Sequence, residues 1–391
     1  MNRRLHTPEG VRDIIGSEYK RKISIEKQLS EIIETYGYDP IQTPSFEYFD
    51  LFGSKMGTVS SKNLYKFFDR EGETIVLRPD FTPSIARCVS RYYNDRTAPL
   101  RLYYKGSVFS NQKTLRGNLN ERTQIGGECI GEESIETDAE MISMIVRGLI
   151  ACGLSDFGIT IGHSAIFDGL MDAASFDEDT RDDIRLMIAN KNYFGLEEYL
   201  EGMDIPAHLA DAFSLLSNMY RSPDEFRNLL ELVSDISPVS DAICYLADLY
   251  DLLTLFEVSE YVTFDLGLVS DFRYYTGIVF SGYAYDSGQP IVKGGRYDHL
   301  LGRFGRELPA LGFAVDVDHL LITLERQDID VSFEDKKQVI IYTREKRDEA
   351  IRQADTLRRY KSKVLMVLAE DAQQAEVLSG ELSGYEIKKL L

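Results

Sequence analysis

Two strand-like segments joined by a polar loop lie between Lys105 and Gly131, and this hairpin constrains the fold more than any other stretch. The loop, 111–121, is rich in glutamine, asparagine, lysine and arginine. After it, Gln124 and Glu128 lie four residues apart, so in a strand their side chains share one face. Two polar side chains beside a polar loop indicate the wall of a small-molecule pocket. A solvated hairpin is the alternative interpretation.

Hydrophobic periodicity along the rest of the chain predicts an α+β protein. Thr82 is the expected N-cap of a helix with Pro83 at its first position, and Thr137 with Glu140 is expected to form a capping box. The pattern predicts a helix over 23–36, a strand, turn and helix over 73–93, a helix over 137–153, a strand over 157–163, strand character over 272–285, and a strand that continues as a helix over 310–324.

Charge is distributed unevenly along the chain. The net charge is −20, and residues 165–260 contain 21 acidic but only 5 basic residues. This mostly helical stretch is interpreted as an insertion within a domain that spans 1–325. A polar linker, 326–337, leads to a small α/β domain over 338–391. Nucleic-acid binders usually present a basic stripe, so the acidic insertion makes nucleic acid an unlikely partner.

Targeting and metal-binding signals are not found in the sequence. It has no run of 18 or more apolar residues and no apolar signal region near its start, which predicts a cytoplasmic protein without a membrane segment. The four cysteines and five histidines are scattered without the spacing of metal ligands. We therefore predict no metal site and no cofactor.

Six segments in chain order carry a family resemblance: TPSFEYFDLF, LRPDFTPSIAR, the hairpin of 105–131, YYTGIVFSGY, GGRYDHLLGRFG and LPALGFAVDVDHLL. Together they resemble the histidyl-tRNA synthetases, which are class II aminoacyl-tRNA synthetases, over roughly residues 5–325. The resemblance implies a mainly antiparallel sheet flanked by helices and a dimer formed through the first segment. It also implies that the C-terminal α/β domain is a truncated anticodon-binding domain.

The resemblance implies that a histidine-binding pocket is kept. Asp80 and Thr82 match the positions that hold the α-amino group, with Asp in place of the family's Glu. Gln124 and Glu128 match the residues that contact the main chain and the imidazole of the amino acid. A zwitterion needs a carboxylate for its ammonium group, and an imidazole needs polar partners for its two nitrogens. The implied histidine-binding residues are Asp80, Thr82, Gln124, Glu128 and a tyrosine pair that could otherwise be simple core aromatics, Tyr274 and Tyr275.

The positions that hold ATP-binding arginines in the synthetases carry other residues here. Adenylate formation develops charge on phosphorus, and loss of one stabilising donor typically costs about 10²–10³-fold in rate. Asp316 adds a carboxylate where phosphates would lie. A local alignment shift, with Arg116, Arg122 or Arg273 as a substitute, is the alternative. The four altered synthetase positions are Ser110, Asn118, Ser270 and His319.

A chain that keeps the histidine pocket but lacks the ATP-binding arginines is similar to one group of synthetase paralogues, the regulatory subunits of ATP phosphoribosyltransferase. These serve the first step of L-histidine biosynthesis. The resemblance implies a non-catalytic homodimer within a hetero-oligomer with a short-form catalytic subunit, and L-histidine as the feedback effector. The loop 111–121 is the expected partner contact. The alternatives are an active histidyl-tRNA synthetase and a synthetase-fold scaffold that binds RNA or protein.

Overall fold

Within the described residues, a nine-stranded sheet forms the centre of the larger of two compact units, Met1–Val331 and Ser332–Leu391. The computed structural model describes residues 5–53, 60–112, 119–203, 205–269, 275–285, 287–331 and 337–391. The helices are α1 (Gly16–Thr35), α2 (Thr82–Tyr92), α3 (Ile135–Ala151), α4 (Ser164–Ala173), α5 (Glu178–Ala189), α6 (Tyr193–Glu201), α7 (Ala207–Phe213), α8 (Pro223–Phe226), α9 (Ser237–Leu255), α10 (Val317–Arg326), α11 (Arg347–Arg359) and α12 (Ala372–Glu381). None of these described helices is both long enough and apolar enough to cross a bilayer.

The strands are numbered in chain order and belong to three sheets. They are β1 (Asp39–Pro40), β2 (Phe46–Tyr48), β3 (Lys66–Phe68), β4 (Thr74–Leu77), β5 (Leu100–Phe109), β6 (Glu121–Ile130), β7 (Phe157–His163), β8 (Met219–Tyr220), β9 (Val262–Asp265), β10 (Ile278–Ala284), β11 (Val292–Arg296), β12 (Ala310–Asp316), β13 (Lys337–Tyr342), β14 (Lys363–Leu368) and β15 (Glu386–Leu390). The large sheet has the order β1-β5-β6-β12-β11-β10-β7-β9-β8. Of its described neighbouring pairs, only β1–β5 and β7–β9 are parallel. This mainly antiparallel sheet flanked by helices confirms the α+β prediction.

The two faces of the large sheet have different neighbours, because side chains alternate along each strand. Ile125 and Cys129 of β6 point into an apolar core that also includes residues of α1, α3 and α10. The alternate residues Gln124, Gly126 and Glu128 lie on the opposite face, in register with β5 and β12. One face therefore anchors the fold, while the other, called the polar face below, carries these polar side chains beside a second apolar cluster that includes Leu102 and Tyr104 of β5.

Two helix starts differ from the prediction. Thr82 is the first residue of α2 rather than its cap, and its hydroxyl donates to Glu128 at 2.8 Å. Helix α3 is capped by Ser134, whose hydroxyl accepts from the backbone N–H of Thr137 at 3.3 Å. The capping box predicted at Thr137 and Glu140 is therefore wrong, since the helix starts two residues earlier.

The acidic stretch between β7 and β9 is mainly helical and contains α4 to α9. Helices α4 and α9 pack on each other, and their buried residues, such as Leu170 and Leu246, belong to the same apolar core as the central strands. The short strand β8 adds to the edge of the large sheet by antiparallel pairing with β9. The acidic helices are therefore integrated into the larger unit by apolar packing.

A small antiparallel sheet, β2-β4-β3, presents an apolar face to solvent. Phe46, Tyr48 and Phe67 lie on this face and are 55%, 62% and 37% exposed. The rings of Phe46 and Phe67 meet edge to face with centroids 6.1 Å apart. Val76 points the other way and is fully buried. We call the surface formed by Phe46, Tyr48 and Phe67 the apolar sheet face.

The smaller unit is a parallel three-stranded sheet, β14-β13-β15, within its described residues. Helix α11 packs on one face and α12 on the other. Its described elements run in the order strand, helix, strand, helix and strand. The final strand, β15, was not predicted. Its sequence, Glu386–Leu390, contains three charged residues in five, and it is held by pairing with β13.

Candidate functional site

A cavity of about 410 Å³ opens on the polar face of the large sheet. Its walls come from the turn that precedes α2, from β5 and β6, and from the ends of β11 and β12. The wall residues used below are Asp80, Thr82, Tyr104, Ser110, Arg122, Gln124, Tyr275, Lys293, Tyr297, Gly312, Ala314 and Asp316. Segments far apart in the sequence thus converge on one space.

Glycines on the central strands β6 and β12 form the floor of this cavity, because they carry no side chains that would fill it. A Cβ atom on Gly312 would lie 1.7 Å from Oε2 of Glu128, because the two residues are register partners and the carboxyl crosses the neighbouring strand. A Cβ atom on Gly126 would lie 2.1 Å from the carbonyl oxygen of Phe313 and 2.5 Å from the hydroxyl of Tyr104. Only glycine leaves room for these contacts.

Glu128 lies directly behind the wall and is 1% exposed. Its Oε1 accepts a hydrogen bond of 2.8 Å from the hydroxyl of Thr82, and its Oε2 accepts from the hydroxyl of Tyr297. Burial raises the pKa of Glu128 to about 8, although these two hydrogen bonds act in the opposite direction. The carboxyl is therefore mostly protonated at neutral pH, and Glu128 with Tyr297 forms a polar relay that ends at the cavity wall.

Two buried oxygen atoms in the wall accept no hydrogen bond from any described residue: Oδ2 of Asp80 and Oε1 of Gln124. The other carboxyl oxygen of Asp80 accepts from the backbone N–H of Thr82 at 3.2 Å. Burial raises the pKa of Asp80, whereas its hydrogen bonds lower it. A buried acceptor without a donor is costly, so these two atoms point to a ligand that supplies N–H groups.

A stack of three side chains holds the turn that carries Asp80. The guanidinium of Arg78 lies 3.9 Å from the ring centre of Phe81, which stacks on Tyr104 with ring centres 4.2 Å apart. Arg78 is 5% exposed and donates to the carbonyl oxygen of Ser107 at 2.9 Å. The turn is thereby fixed against β5, which keeps Asp80 in the wall.

An ion pair occupies another part of the wall. Arg122 donates to Oδ2 of Asp316 at 2.7 Å, and Oδ1 of Asp316 caps α10 by accepting from the backbone N–H of His319 at 3.0 Å. Arg122, considered above as a substitute for a lost arginine, is thus engaged by the carboxylate that the sequence adds. Ser110 lies in the wall and carries no charge.

The predicted site residues differ in where they lie relative to the cavity. Asp80, Thr82, Gln124 and Tyr275 line the cavity, and Glu128 lies behind it. The implied pocket residue Tyr274 and the altered positions Asn118 and Ser270 lie outside the described residues. The sequence reasoning missed several wall residues. Tyr297 could have been found, since it belongs to the GGRYD segment, whereas Tyr104 and Lys293 gave no local signal.

Comparison with known proteins relates this geometry to one family. The family model of histidyl-tRNA synthetase matches residues 10–320. An ATP phosphoribosyltransferase regulatory subunit from Ruminiclostridium cellulolyticum is 34% identical over 95% of this chain and 89% of its own length.

Solved structures agree with this relationship. A crystal structure described as an ATP phosphoribosyltransferase regulatory subunit/histidyl-tRNA synthetase from Bacillus halodurans is 33% identical, with a TM-score of 0.88, and covers 99% of this chain and 98% of its own. A histidyl-tRNA synthetase from Nostoc sp. PCC 7120 shares the fold at 20% identity, with a TM-score of 0.80 over 97% of this chain and 90% of its own. The class II synthetase-like fold is confirmed, and the chain belongs to the family of ATP phosphoribosyltransferase regulatory subunits.

Proposed function

We propose that this chain is a cytoplasmic, non-catalytic regulatory subunit that acts with a short-form ATP phosphoribosyltransferase catalytic subunit in the first step of L-histidine biosynthesis. L-Histidine, bound in the cavity, is the feedback effector. The main support is the set of buried polar groups around one small cavity: the unsatisfied oxygens of Asp80 and Gln124, and the relay of Tyr297 and Glu128 behind the wall.

The chemistry of the cavity matches a zwitterion with an imidazole ring. The ammonium group would donate to Oδ2 of Asp80 and Oε1 of Gln124, which are the two acceptors that need donors. The imidazole would meet Tyr297, whose hydroxyl is held by Glu128. Hydroxyl and carboxyl groups can each donate or accept, so this relay can serve either ring nitrogen. These residues orient a ligand and offer no nucleophile aimed at it.

Groups that stabilise a phosphoryl transition state are scarce in the described wall. Ser110 stands where the resemblance implies an arginine, and Arg122 is neutralised by Asp316 at 2.7 Å. A pentacovalent phosphate needs several cationic donors in place before the reaction. This supports a sensor of histidine over an active synthetase.

The apolar sheet face supports the homodimer that forms part of the proposal. Phe46, Tyr48 and Phe67 expose three aromatic rings on one face of a sheet whose other face buries Val76. Exposed aromatic clusters of this kind are typical of protein interfaces. The loop 111–121, proposed as the contact with the catalytic subunit, lies mostly outside the described residues, which include only its ends.

Reconstitution tests the proposed function. The chain is mixed with a short-form catalytic subunit from the same source, and phosphoribosyl-ATP formation is followed with and without L-histidine. We expect the chain to raise the rate and histidine to suppress it. That suppression requires histidine to bind one state of the complex better by about 1–3 kcal/mol.

Variants and parallel assays separate the alternatives. Glu128→Ala should weaken histidine binding, while Glu198→Ala, an exposed glutamate on α6, should not. If Glu128→Ala leaves the affinity for histidine unchanged, histidine does not bind in this cavity. Histidine-dependent exchange of pyrophosphate with ATP would instead support a synthetase. Salt-sensitive RNA binding would support a scaffold.

A further inference from the structure

A second cavity, of about 310 Å³, lies behind two tyrosines of the first. Tyr275 and Tyr297 line the first cavity, while their chain neighbours Thr276 and Arg296 line the second. Successive side chains of an extended chain point to opposite sides, so the two dipeptides form a partition between the two spaces. We call these spaces the front cavity and the back cavity. Contacts that hold Thr276 and Arg296 at the back therefore also place the tyrosines at the front.

Arg296 anchors the partition and is 6% exposed. Its guanidinium donates to Oδ1 of Asp138 on α3 and, at 3.0 Å, to the carbonyl oxygen of Glu132 shortly before that helix. Asp138 is fully buried, and its Oδ2 accepts from the hydroxyl of Tyr245 on α9 at 2.7 Å. Buried polar networks whose members are bonded in this way are rigid. The partition is thereby fixed against two helices.

Thr276 connects the two halves of the partition. Its backbone N–H donates to the carbonyl oxygen of Arg296 at 2.8 Å, and its hydroxyl donates to Oδ2 of Asp298 at 2.6 Å. The same hydroxyl accepts from the backbone N–H of Asp298 at 3.0 Å. Tyr297 lies between two residues of this network, and Tyr275 lies next to a third. The network therefore fixes the backbone of both tyrosines.

Stability alone does not explain such a network. A buried ion pair gives little net stability, because the removal of two charges from water offsets much of their attraction. Its geometry is well defined, since a guanidinium and a carboxylate bond in few orientations. Binding residues recognise a ligand well when neighbours that are themselves locked hold them within about 0.5 Å of the productive geometry. Arg296 and Asp138 meet this requirement for the residues next to them.

We propose that Arg296 is a positioning residue for ring recognition, because it holds Tyr297, and through Thr276 the second tyrosine, where the imidazole of the effector meets them. This inference rests on the proposed function, since it assumes that histidine occupies the front cavity with its ring at Tyr297. It also makes the acidic helical stretch part of ligand recognition. Helix α9 belongs to that stretch, and its Tyr245 holds the second carboxylate oxygen of Asp138.

Calorimetric titration of the full chain with L-histidine and with its two ring-methylated forms, one for each ring nitrogen, tests the assignment. Each methyl group blocks one nitrogen and leaves the ammonium and carboxylate groups unchanged. In the wild type, the form blocked at the nitrogen that meets Tyr297 should bind about tenfold more weakly than histidine, because a buried polar group loses its partner. The ratio of the two affinities measures ring recognition.

Two mild changes at the back of the partition should reduce this ratio. Thr276→Val removes the hydroxyl and keeps the shape, and Tyr245→Phe removes the hydroxyl that bonds to Asp138. In each, histidine should weaken by about two- to tenfold, the net effect of one hydrogen bond, while the blocked form changes little. Thr276→Ser returns the hydroxyl and should restore most of the ratio. Tyr199→Phe is the matched control, because it removes a bond of 3.3 Å to the carboxylate of Asp183 between α5 and α6.

Three outcomes overturn the assignment. If Thr276→Val and Tyr245→Phe weaken histidine and both methylated forms by the same factor, the network is only structural. If neither variant changes the ratio, the tyrosines keep their places without the network. If the wild type binds all three ligands equally, the ring does not meet Tyr297. A wild-type chain that binds no histidine would instead refute the proposed histidine site itself, so the two failures are distinguishable.

Discussion

Glu128→Gln tests whether the buried carboxyl behind the cavity holds a proton in the folded chain. Glutamine keeps the size of the side chain: its amide oxygen can accept from Thr82, which donates to Glu128 at 2.8 Å, while its NH2 group can donate to the hydroxyl oxygen of Tyr297. Burial raises the pKa of Glu128 from 4.5 to about 8. Between pH 4.5 and about pH 8, the folded chain therefore holds a proton on Glu128 that the unfolded chain has released. The contribution of the neutral carboxyl to stability is complete below pH 4.5 and is lost as the pH rises to about 8.

The magnitude follows from proton linkage. One proton bound only in the folded state lowers the free energy of unfolding by about 1.4 kcal/mol for each pH unit of increase. From about pH 5.5 to about pH 7.5, the wild type should lose roughly 2.5 kcal/mol relative to Glu128→Gln. Because both proteins share every other titrating group, this difference isolates Glu128.

Urea unfolding followed by far-ultraviolet circular dichroism measures this difference, since the chain contains no tryptophan for fluorescence. Wild type, Glu128→Gln and the surface control Glu198→Gln are compared at four pH values across the interval. The control should follow the wild type at every pH. A difference between wild type and Glu128→Gln that stays constant with pH would refute the reasoning, because Glu128 would then be ionised in the folded chain.

Two further changes test the floor of the cavity and the proposed dimer. Gly312→Ala places a methyl group 1.7 Å from Oε2 of Glu128 and should lower the free energy of unfolding by about 3 kcal/mol or more. Adding Glu128→Ala should restore part of that loss in denaturant titrations, whereas strictly additive effects would show that the two sites do not clash. Tyr48→Asp should convert the proposed dimer to monomers in light scattering. The control Tyr360→Asp, at an 81% exposed tyrosine of the smaller unit, should remain dimeric, and a dimeric Tyr48→Asp would contradict the proposed interface.

Local periodicity was sufficient to predict which polar residues of β6 share a face. Gln124 and Glu128 share a face because strand side chains alternate, and this holds wherever the strand is placed. Their depths could not be predicted, since Gln124 reaches the wall while Glu128 is buried behind it. Depth depends on Gly312, a residue on another strand that leaves space for the carboxyl. The raised pKa of Glu128 has the same long-range origin.

Contacts between distant segments account for most of what the sequence did not reveal. The ion pair of Arg122 and Asp316 joins residues 194 positions apart, and Tyr297 reaches Glu128 across 169 positions. Neither pair has a local signature. The N-cap predicted at Thr82 was wrong because α2 begins at Thr82 itself, whose hydroxyl donates to the distant residue Glu128.

The cavity and the apolar sheet face are linked through one residue. The side chain of Arg78 donates to the carbonyl oxygen of Thr43 at 2.9 Å. The backbone N–H of Arg78 donates to the carbonyl oxygen of Ser45, just before β2, also at 2.9 Å. The same guanidinium stacks on Phe81, next to the turn that presents Asp80. Asp80 therefore lies two residues from a side chain that also holds the start of the apolar sheet face. Histidine can change an assembly only if its binding favours one arrangement of that assembly, and this shared anchor connects the two sites through direct contacts.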